Sequence, residues 1–324
     1  MVRWGKICLY VVALCVSGTV FAQQQSFEDW RAGLREEALG KGISAQIFDT
    51  AFKDVKPIKR IIELDRKQPE FTLTLDQYVS RVVPNRRIKL GKKRLAENQE
   101  LLNQVAAKYG VQPRFLVAFW GIETDFGRLT GGFSVISAIT TLAYDGRRSA
   151  FFRKQLLDAL QILEEGHITP DKMIGSWAGA MGQAQFIPST FRAYAVDFDG
   201  DKRIDLWGSK GDVFASAANY LANVGWDDDQ TWGREVKLPE GIDKSLLGLE
   251  TKKSLAEWDA LGVRRLSGDH LPKRELMASV IQPDKDKKYA RAFLVYDNYH
   301  AIMHWNKSHK FAIAVGTLAD SIAR

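Results

Sequence analysis

Glu123 closes an apolar run, residues 115–122 (FLVAFWGI), and is followed by Thr124, Asp125, Phe126 and Gly127. A carboxyl group ending an apolar helix at a cleft loses hydration, which raises its pKa toward what a general acid needs near neutrality. On an ordinary helix end the same residue would be a surface or capping carboxylate, so context decides between the two. Residues 175–189 read GSWAGAMGQAQFIPS. Small residues let a ligand approach the backbone, and Ser176, Trp177 and Gln185 supply hydrogen bonds and a stacking face, as a sugar cleft requires. Tight helix packing would use the same Gly and Ala content.

A second constellation is built of oxygen. Asp197, Asp199 and Asp201 occupy positions 1, 3 and 5 of a loop that resembles the start of an EF-hand, with the Arg203 carbonyl at position 7 and Ile204 at position 8. Such a set suits a hard cation, calcium first. The loop departs from that pattern twice, with Lys202 in place of the glycine at position 6 and Gly208 in place of the glutamate at position 12. Asp212 is the next acid. An Asp-rich turn without metal is the competing reading. His300 and His304 have helical spacing, yet no third ligand or base accompanies them, so an exposed helix face is expected instead of zinc. No Gly-x-Ser-x-Gly elbow is present.

These residues need a scaffold, and the spacing predicts a mainly helical one. Phe27, Trp30 and Leu34 follow Ser26 at helical intervals, with the serine as a cap. Residues 94–228 read as mostly helical and hold nearly all the chemical signals. Between 229 and 297 the texture changes to short runs, 235–238, 277–282 and 292–295, broken by turns, which predicts a small β-containing module. Helical spacing returns after Asn298, where Phe311, Val315, Leu318 and Ile322 share a face behind Ser308. The expected organisation is a helical domain over 23–93, a core over 94–228, an inserted β module over 229–297, and helices returning to the core over 298–324. The Lys- and Arg-rich stretch 59–94 lacks interleaved aromatics and a Gly-rich phosphate loop, so it reads as a solvated face and not as a nucleic-acid site.

Glu123-Thr-Asp-Phe-Gly, the run 175–189, Asn219-Tyr220 and Asn298-Tyr299 with Trp305-Asn306-Lys-Ser308 occur in this order and spacing. Together they resemble the B-type lytic murein transglycosylases, glycoside hydrolase family 103, over roughly residues 27–324. The resemblance implies a lysozyme-like helical core, preceded by an α domain and interrupted by a small β domain. It implies non-hydrolytic cleavage of the MurNAc–GlcNAc β-1,4 bond of peptidoglycan, leaving a 1,6-anhydro-MurNAc end. Glu123 would be the single catalytic carboxylate, with Ser176 and Gln185 lining the site. Tyr220, Tyr299 and Trp305 would shape the glycan cleft, and Tyr78 would reach it from the N-terminal domain. Arg147 and Arg148 match paired arginines placed to meet substrate carboxylates. Asp212 matches a late acidic ligand of the calcium loop. Trp305 stands where relatives carry a tyrosine, which keeps stacking and loses a phenol hydroxyl.

The chemistry agrees with the residues. Retaining and inverting glycosidases both use two carboxyl groups, and no second acid stands out beside Glu123. Asp125, two residues on, points to another side of a helix. One carboxylate with the substrate's N-acetyl group as internal nucleophile fits better. No catalytic cofactor is expected; calcium would be structural. The alternatives are a lysozyme-type hydrolase on the same core and an inactive glycan-binding scaffold.

The chain has 324 residues with a formal charge of +7, and 45% of its residues are hydrophobic and 26% charged, an ordinary globular balance. Its amino terminus has Arg3 and Lys6, an apolar run over 7–16 and small residues up to Ala22, the order of a secretory signal too short to span a bilayer. Leu14 before Cys15 and Tyr10 after Cys8 do not suit lipidation. Cleavage near Ala22 would remove both cysteines and lower the charge by two, leaving an exported, periplasmic protein without thiols or a transmembrane segment. A modest positive excess suits a wall polymer bearing carboxylates.

Overall fold

The structure, a computed structural model, describes residues 25–67, 73–284 and 290–324. The leader expected over 1–22 lies outside them. Four helices come first, α1 (Phe27–Gly40), α2 (Ala45–Ala51), α3 (Lys59–Arg66) and α4 (Leu75–Val82). Ser26 caps α1 as expected, its hydroxyl accepting from the Asp29 N–H at 3.1 Å. Thr74 and Gln77 form a reciprocal capping box on α4.

The centre is built from α5 (Asn85–Glu97), α6 (Gln99–Tyr109) and α7 (Pro113–Thr124). Every residue of α7 from Phe115 to Gly121 is buried. A helix apolar on all sides must be wrapped on all sides. The wrapping comes from α5, α6, α11 (Lys210–Asn223) and α14 (His309–Ala323). Between α7 and α11 lie the short strand β1 (Phe133–Ser134), α8 (Val135–Tyr144), α9 (Ser149–Glu164), the short strand β2 (Ile174–Gly175) and α10 (Pro188–Tyr194). The two strands pair antiparallel, Phe133 opposite Gly175.

The β-containing stretch follows α11, as the broken periodicity predicted. It holds β3 (Gly233–Lys237), β4 (Gly248–Ser254), α12 (Leu255–Ala260), β5 (Arg264–Arg265), β6 (Met277–Ile281) and β7 (Ala292–Val295). All pairs are antiparallel in the order β4-β6-β7-β3-β5. Successive side chains of a strand face opposite sides, and here both sides are used. Ile281, Phe293 and Val295 join the main helical core. Val236, Val280 and Leu294 face the other way into a smaller core closed by Trp258 of α12.

Chain direction then returns through α13 (Asp297–Trp305) to α14. Ser308 caps α14, accepting from the Phe311 N–H at 3.3 Å, and Phe311, Val315, Leu318 and Ile322 are all buried as their spacing predicted. Gly316 lets α14 lie directly on Trp232; a Cβ there would sit 2.2 Å from the indole. Among the described residues no helix is long and apolar enough to cross a membrane.

Candidate active site

Glu123 is the penultimate residue of α7 and is half-buried. Three consecutive left-handed residues end the helix there: Asp125 at φ 50°, Phe126 at 62° and Gly127 at 81°. The Asp125 and Phe126 amides donate back to the Gly121 and Trp120 carbonyls, at 3.1 Å each, which satisfies the terminal carbonyls. The turn leaves Glu123 in a pocket walled by Leu116, Phe119, Val213, Phe214, Ala217 and Trp305. Among the described residues no other ionisable side chain lines that pocket. The apolar setting inferred from the sequence is therefore present.

Asp125 is buried and fully engaged. Arg86 reaches its two oxygens at 2.7 Å, Arg128 at 2.8 Å and Arg87 at 3.2 Å. Burial alone would raise its pKa, but the hydrogen bonds from Arg86, Arg128 and Arg87 outweigh it and hold the carboxyl at about 2. A carboxylate so placed is neither proton donor nor nucleophile. Arg86 and Arg87, assigned from sequence to a solvated basic face, are the partners of this buried charge.

The 175–189 run forms a folded loop against the end of α7. Ser176 accepts from the Ala178 and Ala180 amides at 3.3 and 3.0 Å, and its own amide donates to the Ala180 carbonyl at 2.8 Å. Gly175 permits this crossing, since a Cβ would stand 2.2 Å from the Ala180 oxygen. The Gln185 amide donates to the Gly182 and Thr130 carbonyls at 2.9 and 3.2 Å, so its N–H groups serve the loop. Gln183 makes the bridge to the helix, though the sequence analysis passed over it. It accepts from the Trp120 indole at 2.8 Å through its side chain and from the Thr124 hydroxyl at 3.1 Å through its carbonyl. A glutamine carries no ionisable group, and only its place in the apolar run hinted at this.

The aromatic residues behave differently from one another. Trp305 donates its indole N–H to Glu123 Oε1 at 2.8 Å. Phe119, Phe186 and Tyr220 surround its ring at centroid distances of 4.6, 5.2 and 5.1 Å. Tyr220 donates its hydroxyl to the His304 carbonyl at 2.9 Å, and burial raises its pKa. Tyr299 has no exposed surface, and its hydroxyl meets His309 Nδ1 at 2.8 Å. Its side chain is turned from α13 into the main core. Tyr78 on α4 is likewise buried, at 8% exposure. Arg147 and Arg148 clasp the buried Asp65 through 2.7 and 2.5 Å bonds, while each guanidinium remains about half exposed. Burial pushes the Asp65 carboxyl up, and these two arginines pull it back below its usual range.

At the oxygen-rich loop, carboxylate oxygens of Asp197, Asp199 and Asp212 lie within 4.8 Å of one another. Lys202 takes the left-handed conformation, φ 69°, that the EF-hand glycine would supply, and its amide donates to Asp197 at 2.8 Å. Asp212 is fully buried; burial first, then the charges of Asp199 and Asp197, push its pKa up against two backbone hydrogen bonds. Three crowded carboxylates, one without access to water, fit a hard cation. Asp201 lies outside this trio and accepts from the Arg203 amide at 2.8 Å.

A family model described as a transglycosylase SLT domain matches residues 26–320. The chain belongs to the transglycosylase SLT family. Within that family its relatives are of the B type. Membrane-bound lytic murein transglycosylase B of Escherichia coli is 33% identical over 69% of this chain, and the match spans 61% of that protein's own length. SltB3 from Pseudomonas aeruginosa, solved in complex with NAG-anhNAM-pentapeptide, is 47% identical with a TM-score of 0.89, covering 92% of this chain and 80% of that one. The E. coli lytic transglycosylase Slt35 in complex with calcium is 26% identical with a TM-score of 0.78, covering 90% and 92%.

Proposed function

We propose that this family member is an exported peptidoglycan lytic transglycosylase that cuts the MurNAc–GlcNAc β-1,4 bond and closes the cut end as 1,6-anhydro-MurNAc. One observation carries the reading. Among the described residues that line its pocket, Glu123 carries the ionisable group, while the next acid, Asp125, is locked as a carboxylate by three arginines. Two-carboxylate hydrolysis has no second partner there. SltB3, bound to a NAG-anhNAM-pentapeptide, supports the same product.

The steps balance without water. Glu123 gives its proton to the glycosidic oxygen as the bond from MurNAc C1 breaks, and GlcNAc leaves with a 4-hydroxyl. The MurNAc N-acetyl oxygen bonds to C1 and forms an oxazolinium ion. Glu123, now a carboxylate, takes the proton of the C6 hydroxyl as that oxygen attacks C1. The N-acetyl group is released, and Glu123 ends protonated. Ser176 and Gln185 line this site, Tyr220, Tyr299 and Trp305 shape the glycan cleft, and Tyr78 belongs to it from the N-terminal domain. Arg147 and Arg148 offer their exposed halves to stem-peptide carboxylates. Calcium in the Asp197, Asp199 and Asp212 cluster would hold the loop before α11; it supplies no chemistry to the cut. The amino-terminal 22 residues direct export to the periplasm.

Mass spectrometry of digested sacculi tests the reading. Anhydro-muropeptides are expected, and Glu123→Gln should lower their yield by at least about a thousandfold, as loss of an essential proton donor does. Reducing ends in their place would establish a hydrolase.

A further inference from the structure

Trp305 was expected to stack on sugar, but its geometry assigns it another duty. We infer that Trp305 is a positioning residue for Glu123: its indole N–H holds one carboxyl oxygen, favours the charged form and sets the pH at which the acid is lost. The inference rests on the acid role proposed above.

Three features converge. The bond from Nε1 to Oε1 is 2.8 Å, within the range of a charge-assisted hydrogen bond. The ring is enclosed by Phe119, Phe186 and Tyr220, so its rotamer is fixed by packing. The arm that carries it is pinned on either side, through the Tyr220 hydroxyl to His304 and through Tyr299 to His309. An indole N–H can only donate. A hydroxyl in its place could turn and accept from the protonated acid, serving both states equally. Trp305 holds the carboxylate more strongly than the neutral acid, and the carboxylate is the state in which Glu123 must collect the proton of the C6 hydroxyl. Orientation is thus kept through the second half of the reaction.

Several charged and titratable groups of the packed elements have partners of their own. From α5, Arg86 and Arg87 turn to Asp125, as does Arg128 beyond α7. From α11, Tyr220 turns to a backbone carbonyl. On α14, His309 faces Tyr299, and the Lys310 ammonium donates to the Leu73 carbonyl. On α13, His304 is exposed.

The test compares pH profiles of kcat and KM on purified glycan strands. It uses the wild type, Trp305→Phe, and a protein in which the indole of Trp305 is replaced by the isosteric benzothiophene, which keeps the ring contacts and deletes only the N–H. With KM within about twofold, kcat should fall about tenfold in both, and the high-pH limb should move up by about one unit, the size of a hydrogen bond to a charged group. An unmoved limb in the benzothiophene protein overturns the inference. So does a raised KM with intact kcat, which would return Trp305 to sugar binding. Failure of the acid role itself reads differently: the wild type would yield no anhydro ends.

Discussion

Two carboxylates stand two residues apart at the end of one helix, and their surroundings assign them opposite tasks. Glu123 lies among apolar walls and accepts from the Trp305 indole; Asp125 faces three guanidinium groups. The pKa of Asp125 is about 2, below its ordinary 3.8, so its contribution to stability is full above about pH 4 and is lost as pH falls through 2. Two of its partners are more than half exposed and screened by solvent, which limits that contribution to about 2 kcal/mol at neutral pH. Asp125→Asn should therefore lower the urea midpoint at pH 7 by a corresponding amount. The gap from wild type should narrow as pH drops from 4 toward 2.5. A gap that stays constant over that range would remove the arginine clasp as its cause.

Among the elements, the loop from Asp197 to Ser209 is where a ligand and the backbone share the work. Its carboxylates accept from the loop's own amides at Gly200, Lys202 and Arg203, and Asp212 of α11 accepts from the Asp205 amide, so the turn is held by the chain itself. Calcium at millimolar concentration should raise the thermal midpoint by roughly 2–5 °C, as a ligand well above its Kd does, and chelation should reverse it. Asp199→Asn, at an exposed position, should abolish the shift while leaving the protein folded; absence of any shift in the wild type would reject the cation. The helices were legible in the sequence where their caps and faces are local, as Ser308 with Phe311, Val315, Leu318 and Ile322 shows. The β stretch was legible as a change of texture, yet β4 (GLETKKS) was not, since its polar residues carry no alternation. Glu123 was legible as a candidate by its apolar approach. Its partners were not: the Trp305 indole and the arginines of Asp125 meet their carboxylates through tertiary contact, which no local spacing encodes.

At the scale of the whole molecule, the middle strands of the sheet bury side chains on both faces. Ile281, Phe293 and Val295 belong to the helical core, and Val236, Val280 and Leu294 to the core under Trp258, so the two cores share strands. Such a wall should not come loose by itself. Trp258→Ala removes a fully buried indole and its bond to the Ala278 carbonyl, a loss of about 3–5 kcal/mol. Calorimetry should show one transition moved to lower temperature. A new early transition with the original one retained would mean that the β stretch folds independently. The same connectivity bears on timing. Trp305 and Glu123 are 182 residues apart, and pairings of that span form after local ones because a long loop must first be closed. Before α13 and α14 dock, Glu123 has no indole to order it, and α7 lacks part of the wrapping that its apolar surface needs. Order at the carboxyl group would then arrive late, together with the last pieces of the core.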